Sequence, residues 1–267
     1  MTKTATPADL YERYLVPALY GPAAQELKRV AQPECGDRVL DVACGTGVIP
    51  RTFAPIVGRS GEVTGLDVSP PMLAVARSIP KPNGAEITFA EGNAQGMTFV
   101  NESFDLVTCQ QGLQFMGDKL RAMREMHRML VPGGRAVVSV NQGFAHNRVY
   151  EQFNAVLQKL MGIPALASTF SFGDPQALKL LFTQAGFHNV DVKKVTVNVR
   201  FPDERAFITA TMMASPSAVQ AFKVLAPEKR AALVAPLYDE MQKIFAFYRQ
   251  DEYVVLPLAM NIGSGVA

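Results

Sequence analysis

At 267 residues, 48% hydrophobic and 19% charged, the chain has enough apolar material for a substantial packed core, as one large domain or one domain with an insertion. Twenty-six basic residues against 24 acidic ones leave a net charge of +2 with no block of like charge, which argues against a nucleic-acid partner. The opening residues, MTKTATPADLYERYLVPALYG, lack the apolar run of a signal peptide, and no stretch of about 18 apolar residues is present to span a membrane.

The first predicted elements are helical. Between residues 8 and 32, Tyr11, Tyr14, Leu15, Leu19, Leu27 and Val30 recur at helical spacing, and Pro17 and Pro22 divide them into two short helices. From Val39 the texture changes. RVLDVA, EVTGLDV, EITFAEG, FDLVTCQ and RAVVSV are short apolar runs separated by helix-compatible stretches or loops, a pattern that predicts a parallel sheet covered on both faces. Ser69 as N-cap, with Pro70 and Pro71, starts a helix through MLAVAR. Another runs from about Asp118 to Leu130 and is stopped by Pro132-Gly133-Gly134.

Beyond Val140, helices are expected at 148–161 and 175–185, the latter closed by Gly186. VDVKKVTVNV (190–199) alternates with period two and reads as a strand. Residues 203–249 are helical in pattern, with Met212, Met213, Phe222, Met241, Phe245 and Phe247, and EYVVLPLAMNIGSGVA closes the chain as a strand. A helical insertion between the last two strands predicts a lid over the sheet. The three cysteines, Cys35, Cys44 and Cys109, show no metal-ligand spacing and read as reduced thiols of a cytoplasmic protein, with no metal expected.

The chemistry is concentrated in VLDVACGTG (39–47), where an apolar strand ends on an aspartate and runs into a glycine-rich turn. In open parallel sheets such turns lie at the carboxyl ends of the strands, where ligands bind. Gly45 and Gly47 permit positive φ and close approach of a ligand to the backbone. A nicotinamide-dinucleotide fingerprint requires a third glycine, and here Pro50 follows Gly45-Thr46-Gly47-Val48-Ile49. Asp41 would repel a pyrophosphate and attract a cationic or amine-bearing ligand.

Asp41-x-Ala43-x-Gly45-x-Gly47 resembles the nucleotide-binding motif of class I S-adenosylmethionine-dependent methyltransferases, with Ala43 in place of the usual first glycine. The resemblance continues through VTGLDVSPPMLAVAR, FAEGNAQGMTF, FDLVTCQQGLQFM and HRMLVPGGRAVVSV, and its texture is that of the ubiquinone/menaquinone-biosynthesis-like small-molecule enzymes. It implies a Rossmann-like, doubly wound α/β fold, with a seven-stranded, mostly parallel sheet whose last strand is antiparallel. A helical N-terminal cap (1–34), a core (35–202 and 250–267) and a helical lid (203–249) complete the expected organisation.

It also implies S-adenosylmethionine as cofactor and S-adenosylhomocysteine as product. Asp41, Ala43, Gly45, Thr46 and Gly47 would form the cofactor turn. Asp67 would accept the ribose hydroxyls, flanked by Val68 and Met72. Gly92, Asn93 and Ala94 would meet the adenine, with Asn93 where the family usually has an aspartate, and Gln110 and Tyr14 would complete the wall. Tyr11 is a second wall candidate from the cap.

His146, beyond the fifth strand, is the best general-base candidate of the three histidines. His127 falls in the apolar stripe of its helix and His188 in a solvated loop. Gln114 is a candidate for orienting an acceptor, and Phe115, Met116, Phe144, Phe170 and Phe172 are candidate pocket residues that equally fit a core. Cys44 reads as a small buried side chain. The expected partner is a small, largely apolar methyl acceptor, bound by a monomer or homodimer. A nicotinamide-dependent oxidoreductase and a methyltransferase-like fold with a non-methylating role are the competing readings.

Overall fold

The computed structural model describes residues 5–267. The first four residues of the expected 1–34 cap, which also open the segment read for a signal peptide, lie outside the described residues. The chain divides into two compact units: residues 1–22, 142–171 and 196–259 form the first, and residues 23–141, 172–195 and 260–267 the second. The segment expected as a lid, 203–249, thus falls in one unit with 142–171 and the first 22 residues.

The sheet has strand order β3-β2-β1-β4-β5-β8-β6. These strands are β1 (Arg38–Val42), β2 (Glu62–Asp67), β3 (Glu86–Glu91), β4 (Phe104–Gln110), β5 (Leu130–Asn141), β6 (His188–Phe201) and β8 (Tyr253–Val266). An eighth strand not foreseen in the sequence, β7 (Arg249–Gln250), is two residues long and pairs with the start of β8. β1 through β5 pair in parallel, and β8 runs antiparallel to β5 from Arg135↔Val266 to Asn141↔Met260. The order runs 3-2-1 and then resumes at 4, so the topological switch point lies between the carboxyl ends of β1 and β4.

The helices are α1 (Pro7–Leu10), α2 (Gly21–Ala31), α3 (Val48–Val57), α4 (Pro70–Ser78), α5 (Lys119–Met129), α6 (Arg148–Met161), α7 (Pro175–Gln184), α8 (Glu204–Ala214), α9 (Gln220–Lys223), α10 (Pro227–Ala232) and α11 (Val234–Phe245). In the second unit, apolar layers cover both faces of the sheet. Leu40 and Val42 of β1 belong to a cluster with Met123 and Met126 of α5 and Phe182 of α7. Val39 belongs to the other layer, with Leu27 of α2 and Ile49 and Phe53 of α3. A strand buried on both faces is apolar along most of its length, which is why β1 was legible as RVLDVA despite Asp41. In the first unit Phe207 of α8 is ringed by Tyr150, Phe153, Phe201 and Phe245, with centroids 5.3–6.2 Å away.

Three local expectations are corrected. Pro17 and Pro22 do not break the first helical stretch: α1 passes into a π-helical segment, Tyr11–Tyr20, which passes directly into α2. The wider π turn tolerates the amide that Pro17 lacks, and Pro22 sits at the start of α2, where an amide needs no partner. α5 ends at Met129, and Pro132-Gly133-Gly134 lies inside β5, where the register with β4 jumps from Phe104↔Leu130 to Leu106↔Arg135. The stop signal is therefore a strand irregularity, with Gly133 at φ +82°. Ser69 does occupy the N-cap of α4, but its side chain makes no cap bond; Asp67 accepts its backbone N–H instead.

Candidate functional site

β1 delivers Asp41 to the switch point with only 1% of its surface exposed. Its Oδ1 accepts a 2.7 Å hydrogen bond from the Thr108 hydroxyl of β4. No lysine or arginine pairs with it among the described residues. Burial, opposed by the Thr108 bond and reinforced by the neighbouring charge of Asp67, pushes the Asp41 carboxyl up to about 8.

The turn after Asp41 is left-handed at alternate residues: Ala43 at φ +58°, Gly45 at +55° and Gly47 at +84°. The Gly47 N–H closes it onto the Cys44 carbonyl at 2.9 Å, and the Cys44 N–H ties it to Leu66 of β2 at 3.0 Å. A side chain at Gly47 would also meet the Phe89 ring at 2.8 Å, so this position needs glycine for space as well as for φ. Ala43 holds its φ at a cost of about 1–2 kcal/mol that glycine would avoid. Its Cβ lies where a side chain on Gly112 would come within 2.6 Å. The Thr46 hydroxyl is buried without a protein partner.

Asp67 ends β2. One carboxylate oxygen accepts the Gly45 N–H at 2.7 Å and the other the Ser69 N–H at 2.8 Å. It thus clips the turn to the head of α4, a structural duty that the sequence had handed to Ser69. Burial raises its pKa, against the lowering effect of the backbone donors of Gly45, Ser69 and Val68. Two carboxylates therefore flank one glycine-rich turn, neither of them ion-paired among the described residues, while the Arg51 guanidinium donates to the Thr46 carbonyl on the same turn. Thr108, a polar residue in the middle of a buried strand, is the site residue that the motif did not announce; that mismatch of polarity and burial was its only signal.

Around this centre, Val68 is 71% exposed while Met72 is buried. Gly92 bonds from its N–H to the Asp67 carbonyl at 3.0 Å. Exposed Asn93 uses its Oδ1 to accept the Gln95 N–H at 2.9 Å, the turn role that competes with adenine contact, and Ala94 packs on the core. Gln110 is the buried last residue of β4. Gln111 follows at φ +55°, and its amide donates to Met260 Sδ. Buried Gln114 donates to Gln111 Oε1 at 3.0 Å and leaves its own Oε1 without a protein partner.

Tyr14 and His146 belong to the first unit, both exposed, as do Tyr11, Phe144 and Phe170. The Phe144 and Phe170 rings stack at 4.8 Å. In the second unit Met116 and Phe172 pack on the core cluster, and Phe115 is 38% exposed. His127 packs edge-on against Phe187 at the end of α5, and His188 is the exposed first residue of β6. Burial pushes the Cys109 thiol up to about 12 and Cys44 well above its ordinary value, so neither is a thiolate nucleophile.

Sequence comparison places residues 24–201 in the ubiE/COQ5 methyltransferase family. Demethylmenaquinone methyltransferase of Staphylococcus epidermidis is 35% identical over 178 residues, 61% of this chain and 73% of that protein. Its counterpart in Staphylococcus carnosus is 36% identical over 184 residues, 63% and 75% of the two chains. Among solved structures, the YcgJ protein of Bacillus subtilis shares the fold at a TM-score of 0.59 and 19% identity, covering 91% of this chain and 97% of its own. Phosphoethanolamine N-methyltransferase 2 of Haemonchus contortus, solved with phosphomonomethylethanolamine and S-adenosylhomocysteine, does so at 0.57 and 20%, covering 99% and 59%. Two carboxylates astride a left-handed turn at the switch point are the local form of what these comparisons state for the whole: the chain belongs to the ubiE/COQ5 methyltransferase family and is an S-adenosylmethionine-dependent methyltransferase acting on a small molecule.

Proposed function

We propose that the turn after β1 holds S-adenosylmethionine and that the acceptor is small and largely apolar, with an oxygen, nitrogen or carbon atom taking the methyl group. The observation that carries the cofactor assignment is the pair of buried carboxylates, Asp41 and Asp67, neither of which is ion-paired among the described residues. A positive ligand favours the ionised form of these carboxylates, whereas the pyrophosphate of a nicotinamide dinucleotide would oppose it. Pro50, buried in the first turn of α3, stands where the dinucleotide motif has its third glycine.

In this reading Asp41 faces the positive charge of the ligand, while Ala43, Gly45, Thr46 and Gly47 bring backbone and hydroxyl groups against it. Asp67 spends one lone pair of each oxygen on the backbone and keeps others for ribose hydroxyls. Val68, Met72, Gly92, Asn93 and Ala94 border the adenine, and Gln110 continues the wall. The bound cofactor supplies an electrophilic methyl group on a sulfonium, so the chain's own task is to align the acceptor and exclude water. Alignment of this kind lowers a barrier by roughly 7–11 kcal/mol without a dedicated base.

Gln114, buried with a free carbonyl oxygen, orients the acceptor. Residues 203–249, in the unit that also holds residues 142–171, are the helical segment to which acceptor selection is assigned. The demethylmenaquinone named for the curated relatives supports an apolar acceptor, and residues 202–267 lie outside the family match. Isothermal titration with S-adenosylmethionine and S-adenosylhomocysteine tests the cofactor assignment, with micromolar binding of both expected. Absence of binding by folded, ligand-free protein refutes it. A mass-spectrometric acceptor screen, read as a gain of one methylene, tests the rest.

A further inference from the structure

The first unit contains a cavity of about 750 Å³, lined in part by Tyr14 and by residues of the 203–249 segment. That volume lies within the range of small-molecule pockets. Two helical stripes form its walls. Leu10, Arg13, Tyr14 and Pro17 follow one another at helical spacing on the N-terminal segment, and Arg205, Thr209 and Met213 do so on α8. Phe201 and Tyr253, at the ends of β6 and β8 that lie in this unit, complete the lining with Arg200. Its floor is apolar, with Phe201 and Ala210 buried and Met213 partly so.

The charge around it is one-sided. Arg13, Arg200 and Arg205 all line the cavity, and none has a carboxylate partner among the described residues. Each has an aromatic ring within cation–π range instead, with Arg200 alone in stacking contact. The Arg200 guanidinium lies 3.6 Å above the centroid of Tyr253, Arg205 5.0 Å from that of Tyr238, and Arg13 5.8 Å from that of Tyr14. Stacking orients a guanidinium without using its N–H edge, which stays available for an anion. The one lining carboxylate, Asp203, is occupied: its Oδ1 accepts the Ala206 N–H at 2.7 Å as the N-cap of α8. Three guanidiniums repel one another around an apolar hole, and an anion with an apolar tail answers both features. Most of these residues lie outside the stretch shared with the family, residues 24–201.

We propose that this cavity binds a single-chain amphiphilic anion of the alkyl carboxylate class, with the chain on Phe201, Ala210 and Met213 and the head on Arg200, Arg205 and Arg13. The test is calorimetric titration of the full chain with laurate below its micellar concentration, beside neutral dodecanol. Saturable one-to-one binding of laurate is expected, with dodecanol at least about tenfold weaker because it cannot engage the guanidinium forks. R200Q and R205Q should each weaken laurate at least about fivefold. T209F, at an exposed position that fills the cavity, should abolish binding while the melting temperature holds. Equal affinity for laurate and dodecanol, unchanged binding in the glutamine variants, or wild-type binding by T209F each overturns the proposal. So does binding to phosphatidylglycerol vesicles that laurate fails to displace, since the guanidiniums would then serve a membrane surface.

Discussion

The Asp41 carboxyl makes cofactor binding a proton-linked event. Its folded pKa, about 8, lies far above the ordinary value of 3.8, so between those two limits the folded empty protein holds a proton that the unfolded chain has lost. The stability associated with that proton is fully present below about pH 4 and is lost as pH rises through 8, at a slope approaching 1.4 kcal/mol per pH unit. Asp41→Asn removes the dependence and keeps an oxygen to accept from Thr108, so the variant should be the more stable protein at pH 9, by a few kcal/mol on the order of that slope. A positively charged ligand reverses the preference, because it favours the ionised carboxylate. S-adenosylmethionine affinity should therefore improve by up to about tenfold per pH unit from 6 toward 8 and then level off. The assay is calorimetry at pH 6 to 9 in two buffers of different ionisation enthalpy, which counts protons released, repeated on Asp41→Asn to subtract the ligand's own titration. Equal pH slopes in the two proteins, or undiminished affinity in the variant, would refute the assignment of Asp41 as the counter-charge.

Asp67→Ala should weaken S-adenosylmethionine by at least about tenfold and also lower stability by about 1–3 kcal/mol, because the Gly45 and Ser69 amides lose their acceptor; calorimetry and urea unfolding read the two effects separately. Gly112→Ala drives a methyl group to 2.6 Å from the Ala43 Cβ and 3.0 Å from the Cys109 sulfur, and should cost about 1–3 kcal/mol. Combining it with Ala43→Gly should recover part of that loss, and strict additivity in the double-mutant cycle would contradict the contact. Gln114→Leu should reduce kcat or raise KM for the acceptor while leaving cofactor affinity within about twofold, since its free Oε1 is assigned to the acceptor alone; a matching loss of cofactor affinity, measured by titration, would move Gln114 to the cofactor wall.

What the sequence by itself determined was everything built from short-range chemistry. β1 is buried on both faces and so is apolar but for Asp41, and a turn with three left-handed residues announces itself through glycine, so β1, its turn and Asp41 were visible in nine letters. α6 and α7 matched the expected ranges closely, each with one apolar face, and Gly186 marked the end of α7 in the sequence. The punctuation failed where tertiary packing overrode it. Pro17 is absorbed by a π-helical stretch, and Pro132-Gly133-Gly134 is held as a bulge because β5 pairs with β4 on either side of it. Only the assembled sheet could show that Thr108 reaches Asp41 across 67 residues of sequence, or that Asp67 clips the turn while capping α4. The Arg13, Arg200 and Arg205 cavity is the extreme case. Its helix stripes and strand ends are ordinary in isolation, and only folding gathers three guanidiniums from distant segments around one apolar space. Local propensity is written in neighbouring residues, whereas burial, charge pairing and strain depend on which distant groups the fold brings together.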